Sequence, residues 1–465
     1  MTSLSLLTAS MILAAGNQAT FLGMIAIPGE AKDLSKPKVS GVNTDRLGGF
    51  GSDFWYEPES GNMFGIVDRG PGGGTIAYEA RAQRFKAIFD KTSGKLTSFK
   101  LQETLKLTDG SQFLDGLNPL RKTGKPDKQG LSFDAEGIVR GPRGTFFISE
   151  EYGPAISEFM VTQRGKDRVL KRLRTFVNPE KLTPRDVNGK VNFLSPIAGQ
   201  PELGSGRQDN RGFEGLAITP DGRFLFALLQ GPLQEEGNPD GRHSNYLRLI
   251  RFEISSGRSD REFLYPMEKI EDINQRITND LFTPKQQGRT IGISAILALN
   301  HREFLVLERE NRGIGVDDPL AKKPIASKRI FKINVTEATN VSAISLKGTN
   351  DLPADVIPVQ KTLWMDLQAE LIKAKKPIGE KIEALAIGPK LGGKEYAFII
   401  ATDNDFSVTQ NEDGKQFDVV FGGGKSQQVK LDQRVKGQAL IPSYLYSFRV
   451  NLPEYVAPFW FKETK

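Results

Sequence analysis

Apolar residues recur along the chain in short runs rather than long helical stripes, and five of these runs share a common figure. Phe133-Asp-Ala-Glu136-Gly-Ile-Val139, Gly212-Phe-Glu214-Gly-Leu-Ala-Ile218 and Lys381-Ile-Glu383-Ala-Leu-Ala-Ile387 each place a glutamate ahead of a small residue and an apolar stretch. Gly49-Phe-Gly-Ser52-Asp-Phe-Trp55 and Gly292-Ile-Ser294-Ala-Ile-Leu-Ala298 carry serine at the glutamate position. Measured on Ser52, Glu136, Glu214, Ser294 and Glu383, the figures are 84, 78, 80 and 89 residues apart. This is a repeat loosened by insertions, and repeats of this kind define a fold before any single element does.

A turn follows each figure, among them Thr219-Pro-Asp-Gly222, Gly141-Pro-Arg-Gly144 and Glu57-Pro-Glu-Ser-Gly61, with Pro and Gly where tight turns favour them. Second apolar runs come next: Met63-Phe-Gly-Ile-Val67, Thr145-Phe-Phe-Ile148, Phe224-Leu-Phe-Ala-Leu-Leu229, Glu303-Phe-Leu-Val-Leu307 and Tyr396-Ala-Phe-Ile-Ile400. They are rich in aromatic and β-branched residues, as strands are. Third, alternating strands appear at Tyr246-Leu-Arg-Leu-Ile-Arg-Phe-Glu253, Arg329-Ile-Phe-Lys-Ile-Asn334 and Tyr444-Leu-Tyr-Ser-Phe-Arg-Val450. Antiparallel strands in repeating sets predict an all-β chain folded as a β-propeller with five legible blades. A sixth, degenerate blade hidden in the insertions is the alternative. The last blade lacks a fourth strand, and the orphan run Phe21-Leu-Gly-Met-Ile-Ala-Ile27 is expected to supply it and close the ring. Helical content is expected to be low, with residues 76–89, 268–279 and 363–375 among the candidate helices.

Composition narrows the chemistry. The chain of 465 residues has no Cys, and His243 and His301 are its two imidazoles. Thiolate sites, disulfides and His-rich zinc or iron centres are excluded, so a metal here must be a hard, oxygen-bound one. A net charge of +7, from 63 basic against 56 acidic residues, favours an anionic ligand without requiring nucleic acid, and no nucleic-acid partner is expected. The first charged residue is Glu30, and residues 4–15 form an apolar run of export-signal length, too short for a membrane span. Residues 1–20 are therefore read as an export signal and 21–465 as one propeller domain, periplasmic or extracellular, monomeric and without an integral membrane span. The absence of Lys and Arg before the run is atypical, and a mature apolar strand is the other reading of it.

The second runs end on polar and mostly acidic residues: Asp68-Arg69, Glu150-Glu151, Gln230, Glu308-Arg309-Glu310 and Asp403-Asn404-Asp405. If each inner strand runs one way and its neighbour returns, these residues join the anchor positions at one end of the channel. Glutamates within apolar strands are costly unless paired or bound to a cation. Asp68, Glu136, Glu214, Glu308, Glu383 and Asp403 are thus candidate ligands for calcium, with magnesium or manganese as lesser alternatives. Any one of these glutamates could instead bond backbone amides, and Asp68 with Arg69, or Glu308 with Arg309, could be structural ion pairs between blades.

Val67-Asp-Arg-Gly70, Phe133-Asp-Ala-Glu-Gly-Ile138, Ser149-Glu-Glu-Tyr-Gly-Pro154, Asn210-Arg-Gly-Phe-Glu-Gly-Leu-Ala217, Leu307-Glu-Arg309 and Ala401-Thr-Asp-Asn404 together resemble the phytase-like domain family, "esterase-like activity of phytase". The match runs in order from Gly48 to Val450. It implies a secreted β-propeller associated with hydrolysis of phosphoric esters; Ser52 and Ser294 depart from a full ring of glutamates. On that reading calcium coordinates phosphate oxygens, Glu150 or Glu151 takes a proton from water, and Arg69, Arg211 or Arg309 steadies the oxyanion. Tyr152 orients a small phosphorylated substrate. The rival readings are a non-catalytic, calcium-stabilised propeller that binds a partner, and a lactonase or sugar-acid esterase.

Other motifs fall away. Phe421-Gly-Gly-Gly-Lys-Ser426 has Val419 where a phosphate loop needs its first glycine, and Gly70-Pro-Gly-Gly-Gly74 lacks dinucleotide spacing. Asp403-Asn-Asp405 is followed by Val408 where a calcium-binding EF loop needs glycine. His243 reads as an exposed loop residue, and residues 166–174 as an outer strand.

Overall fold

The computed structural model describes residues 19–36, 44–193, 203–410 and 415–462; the apolar run proposed as an export signal lies outside them. The chain opens with β1 (Ala19–Ile27) and then lays down blade 1 as β2 (Asp53–Glu57), β3 (Asn62–Ile66), β4 (Arg81–Phe89) and β5 (Leu96–Thr108). A short helix, α1 (Pro119–Thr123), leads to blade 2, with β6 (Ala135–Arg140), β7 (Thr145–Glu150), β8 (Ala155–Arg164) and β9 (Asp167–Thr175). An excursion pairs β10 (Arg185–Asp186) with β11 (Leu203–Ser205). Blade 3 comprises β12 (Phe213–Ile218), β13 (Phe224–Leu229), β14 (Tyr246–Glu253) and β15 (Arg258–Pro266), and α2 (Ile270–Asn274) follows. Blade 4 comprises β16 (Gly292–Ala298), β17 (Glu303–Arg309), β18 (Lys328–Asn334) and β19 (Gln360–Asp366), and α3 (Leu367–Lys373) follows. Blade 5 begins with β20 (Lys381–Gly392) and β21 (Glu395–Asp403). It is interrupted by a small sheet of β22 (Val408–Gln410), β23 (Gln416–Gly422), β24 (Lys425–Lys430) and β25 (Ala439–Leu440), then resumes with β26 (Ser443–Asn451).

The fourth strand of blade 5 is β1, in the order β1-β26-β21-β20, so the orphan N-terminal strand closes the ring as its sequence implied. Its register places Phe21 opposite Phe448, their rings edge to face at 5.4 Å, and Ile25 opposite Leu445. Blades 1 and 2 also join at the rim, where β5 runs parallel to β9 from Lys106 to Thr108, covering two edges that would otherwise be open. The described residues contain no sixth blade; the insertions form the two small sheets instead. Apolar side chains of neighbouring blades mesh between the sheets, as with Phe226 against Phe304 across blades 3 and 4.

One expected helix is a strand. Residues 81–89 form β4, with the alternating burial of a sheet, although Ala and Arg there favour helix; packing against β3 and β5 outweighs a weak local preference. The other two expected helices shrink to α2 and α3. In the second case residues up to Asp366 stay in β19, and the Asp366 side chain then caps α3 by accepting the Ala369 N–H at 3.0 Å.

The recurrent figure has a structural meaning. Pairing between inner strand and neighbour slips between Ala135 and Ile138, between Phe213 and Gly215, between Ile293 and Ala295, and between Ile382 and Ala384. Glu136, Glu214, Ser294 and Glu383 therefore sit at β-bulges, which re-aim a side chain out of its alternating position. The small residue after each anchor lets adjacent inner strands approach. A Cβ on Gly137 would fall 2.6 Å from Leu216 Cβ, and one on Gly215 would fall 2.9 Å from the Ile296 backbone nitrogen. Gly215→Val should accordingly lower stability by about 2 kcal/mol through overpacking against immobile backbone, measurable as a reduced urea midpoint; an unchanged midpoint would show that the blades are free to part there.

Candidate active site

The bulged anchors and the ends of the second strands meet at one end of the central channel, because each neighbour strand runs antiparallel to its inner strand: Ala135 pairs with Glu150, Phe213 with Leu229, Ile293 with Glu308 and Lys381 with Asp403. Together they line a cleft of about 170 Å3. Its acidic side chains include Asp68, Glu136, Glu151, Glu214 and Glu383; its cationic ones include Arg69, Arg211, Arg289, Arg309 and Lys381.

On the acidic wall, Asp134, Glu136 and Glu151 each bring a carboxylate oxygen within 4.8 Å of the others, and all three are buried. Burial, and then the carboxylates of Glu214 and Asp134, hold the Glu136 carboxyl well above its ordinary range. Burial followed by Asp134 pushes Glu151 up to about 7. Glu214 is raised by burial and then by Glu151 and Glu383; its Oε1 accepts from Gln230 at 2.6 Å, while the buried Oε2 has no hydrogen-bond donor among the described residues. A surplus of inward-facing carboxylate oxygens, with no imidazole or thiol among them, is the donor set that suits a hard divalent cation.

The basic wall is unevenly paired. Arg309 donates to Ser294 Oγ at 2.8 Å and forms an ion pair with Glu383 of blade 5. Serine at the blade 4 anchor thus leaves the room that Arg309 occupies. At the other serine anchor, Ser52 Oγ donates to Asp403 Oδ2 at 3.3 Å, so blade 5 brings a carboxylate to that position too. Arg69 holds Asp134, backbone N–H to Oδ1 at 2.9 Å and guanidinium to Oδ2 at 3.1 Å. Arg211 differs: its buried Nε has no acceptor, and burial, then Arg289, press its pKa down to about 9. Glu151 and Glu214 attract it without offsetting burial and the neighbouring arginines, and with no direct ion pair among the described residues the guanidinium is poised for an anion from solution.

Several sequence-derived candidates lie elsewhere. Glu308 is turned to the other face of its strand from Arg309, as strand alternation requires. There it accepts from Tyr265 Oη at 2.7 Å, from Lys361 at 2.6 Å and from the Glu268 N–H at 2.6 Å. Glu308 and Arg309 are therefore both ion-paired, but not to each other. Glu150 is pushed up to about 7 by burial, yet its carboxyl accepts the N–H groups of Tyr152 and Gly153 and does not line the cleft. The buried Tyr152 hydroxyl donates to the Gly116 carbonyl at 2.7 Å and lies against Arg69, so it braces that arginine from behind. Asp403 sits behind the cleft, where it accepts the Asp405 N–H and bears on Asp68, whose pKa burial and then Asp403 raise well above the usual range. Asp134 and Lys381 were within the quoted motifs but gave no sign of their own, and Arg289 comes from a loop that no pattern marked. His243 is partly exposed, with Nδ1 2.8 Å from Asp240.

Fold and cleft together define a five-bladed β-propeller with a charged, concave site at one end of its channel. Within that class the chain belongs to the phytase-like family, "esterase-like activity of phytase", whose model matches residues 45–406. It is also 27% identical over 445 residues to an uncharacterized secreted protein of Arthroderma benhamiae, covering 79% of this chain and 84% of that one. Among solved structures it is similar to a luciferin-regenerating enzyme (10% identity, TM-score 0.32, covering 92% of this chain and 95% of that one). A calcium-binding regucalcin from Agrobacterium tumefaciens is another (9% identity, TM-score 0.29, 82% and 85%).

Proposed function

We propose that the chain hydrolyses small phosphoric esters at the charged end of the propeller channel. The observation that carries this reading is a cleft with two unlike walls: a buried carboxylate trio, Asp134, Glu136 and Glu151, and an arginine cluster around Arg211, whose guanidinium forms no ion pair among the described residues. Family membership supports phosphoric ester chemistry, and the description of the Arthroderma relative as secreted supports export.

Arg211, with Arg289 and Arg309 beside it, would bind the phosphoryl oxygens and hold the charge that builds on them in the transition state. Glu383 and Ser294 fix Arg309, and Asp134 and Tyr152 fix Arg69, so these donors need no rearrangement when substrate arrives. Glu214, anchored through Oε1 by Gln230, presents its free Oε2 as the acceptor of a proton from water. Calcium held by Asp134, Glu136 and Glu151 would supply charge neutralisation and make water more acidic. The alcohol half of the ester would extend into a side pocket of about 200 Å3 that shares Asp68 and Arg69 with the cleft and is otherwise walled by groups such as Gly72, Thr409 and Gln410.

The direct test is hydrolysis of an aryl phosphate by the full chain, with calcium and with a calcium chelator. Turnover that requires calcium is expected; no turnover of phosphomonoesters or phosphodiesters under either condition refutes the proposal. Glu214→Gln should abolish turnover yet keep the fold, and a folded variant that retains turnover would remove Glu214 from the role of proton acceptor.

A further inference from the structure

The opposite end of the channel is a different environment. A cavity of about 300 Å3 opens there. All five inner strands contribute to it, through residues such as Trp55, Val139, Ala217, Leu297 and Ile387. These lie three or four residues beyond the anchors, about 10 Å along the strands from the charged cleft.

The mouth is remodelled by the segment that follows β26. Leu452 N–H donates to the Lys394 carbonyl in blade 5, Val456 N–H to Leu299 beside blade 4 at 2.8 Å, and Phe459 N–H to Pro220 in blade 3 at 2.8 Å. Tyr455 stacks edge to face on Tyr396 at 5.1 Å. This strap turns an open channel end into a walled pocket lined by Tyr455, Val456 and Pro458. Water in an apolar chamber of this size finds few partners and is readily displaced by apolar surface.

Two charged residues reach the cavity. Asp53 is committed to the protein: Oδ1 accepts the Phe54 N–H at 2.8 Å and Oδ2 the Ile138 N–H at 3.0 Å. Lys390 is exposed at the mouth and has no carboxylate partner among the described residues. We propose that this end of the channel is a second binding site, for an amphipathic monoanion: an apolar body lies in the strap-walled cavity and a carboxylate or sulfonate head meets Lys390. A cavity half this size accommodates a six-membered aromatic ring, so the body would have roughly a dozen non-hydrogen atoms. The site stands independently of phosphate chemistry at the other end.

Anilinonaphthalene sulfonate, itself an apolar body with one anionic head, serves as the probe for the folded full chain. Saturable fluorescence enhancement at one probe per chain is expected, displaced by decanoate and not by decyltrimethylammonium at equal concentration. Lys390→Glu should weaken binding about tenfold, the sum of an attraction lost and a repulsion gained. Ala298→Trp, which fills the mouth, should abolish binding, and neither variant nor calcium chelation should alter the other activity. Absence of saturable binding, or equal displacement by the two amphiphiles, overturns the proposal. Should Ala298→Trp fail to fold, unchanged affinity in Lys390→Glu overturns it alone.

Discussion

Replacing Arg211 with methionine is expected to lower kcat/KM for an aryl phosphate by about a hundredfold or more, the usual loss when a preorganised donor to a developing oxyanion is removed. The same variant should not lose stability. Arg211 is held among Arg289 and Arg309 with a buried Nε that has no acceptor among the described residues; burial followed by Arg289 presses its pKa down to about 9, the attraction of Glu151 and Glu214 falling short of offsetting them. At neutral pH the guanidinium remains charged, so that pressure is carried as strain in the folded state. Methionine keeps much of the side-chain volume and removes the charge, so stability should hold or rise, by an amount on the order of 1 kcal/mol, and the melting temperature with it. Arg309→Met should behave differently. It strands Glu383, whose carboxylate it pairs, and should therefore lower both turnover and stability, the latter by about 3 kcal/mol. Measured together by steady-state kinetics and calorimetry, the two variants separate an arginine that serves the anion alone from one that serves both the anion and the fold. An Arg211→Met protein that melts several degrees lower but hydrolyses normally would remove Arg211 from the site.

That contrast between two neighbouring arginines was not legible in the sequence, although much else was. The period of the glutamate figure and its apolar sequels were enough for the blade number and for the closing role of Phe21 to Ile27, because strand pattern and repeat are local signals that every blade restates. The convergence of Glu136, Glu214 and Glu383 followed from antiparallel pairing alone. What the pattern could not carry was direction. Glu308 and Arg309 are adjacent in sequence and both acidic or basic in the expected way, but alternation sends one to Lys361 and Tyr265 and the other to the channel. The bulges that aim the anchors are also invisible in a one-letter string, and only the small residue after each glutamate hints at them. Arg289 reaches the cleft from a loop, where neither period nor propensity constrains position. Residues 81–89 show the converse failure: a helix-favouring composition overruled by sheet partners on both sides.

In the presence of a chelator the protein is expected to melt at a higher temperature near pH 5 than at about pH 8. Asp403, behind the cleft, and Glu380, which lines it, are each pushed up to about 7, in both cases by burial first, with Glu383 and Asp405 adding to Asp403 and Asp405 adding to Glu380. A carboxyl group whose pKa is higher in the folded than in the unfolded chain binds its proton more tightly when folded. Its stabilising contribution is therefore complete below the unfolded value and is lost as pH climbs towards the folded one, here from about 4 to about 7. One such group is worth about 4 kcal/mol across that window, and neighbouring carboxyls that share a field add less than their sum. Calcium should act in the opposite sense with pH. It binds only ionised carboxylates, so saturating calcium should stabilise the fold near pH 8 by about 3 kcal/mol at a hundredfold excess over Kd, raising the melting temperature there, and do little near pH 5. Scanning calorimetry at the two pH values, with chelator and with calcium, measures both trends. A melting temperature in chelator that stays flat or rises over this range would mean that the carboxyls at the channel end are already neutralised within the fold. Asp403 and Glu380 would then carry no unmatched charge in the fold, and a cation bound nearby would gain nothing from them.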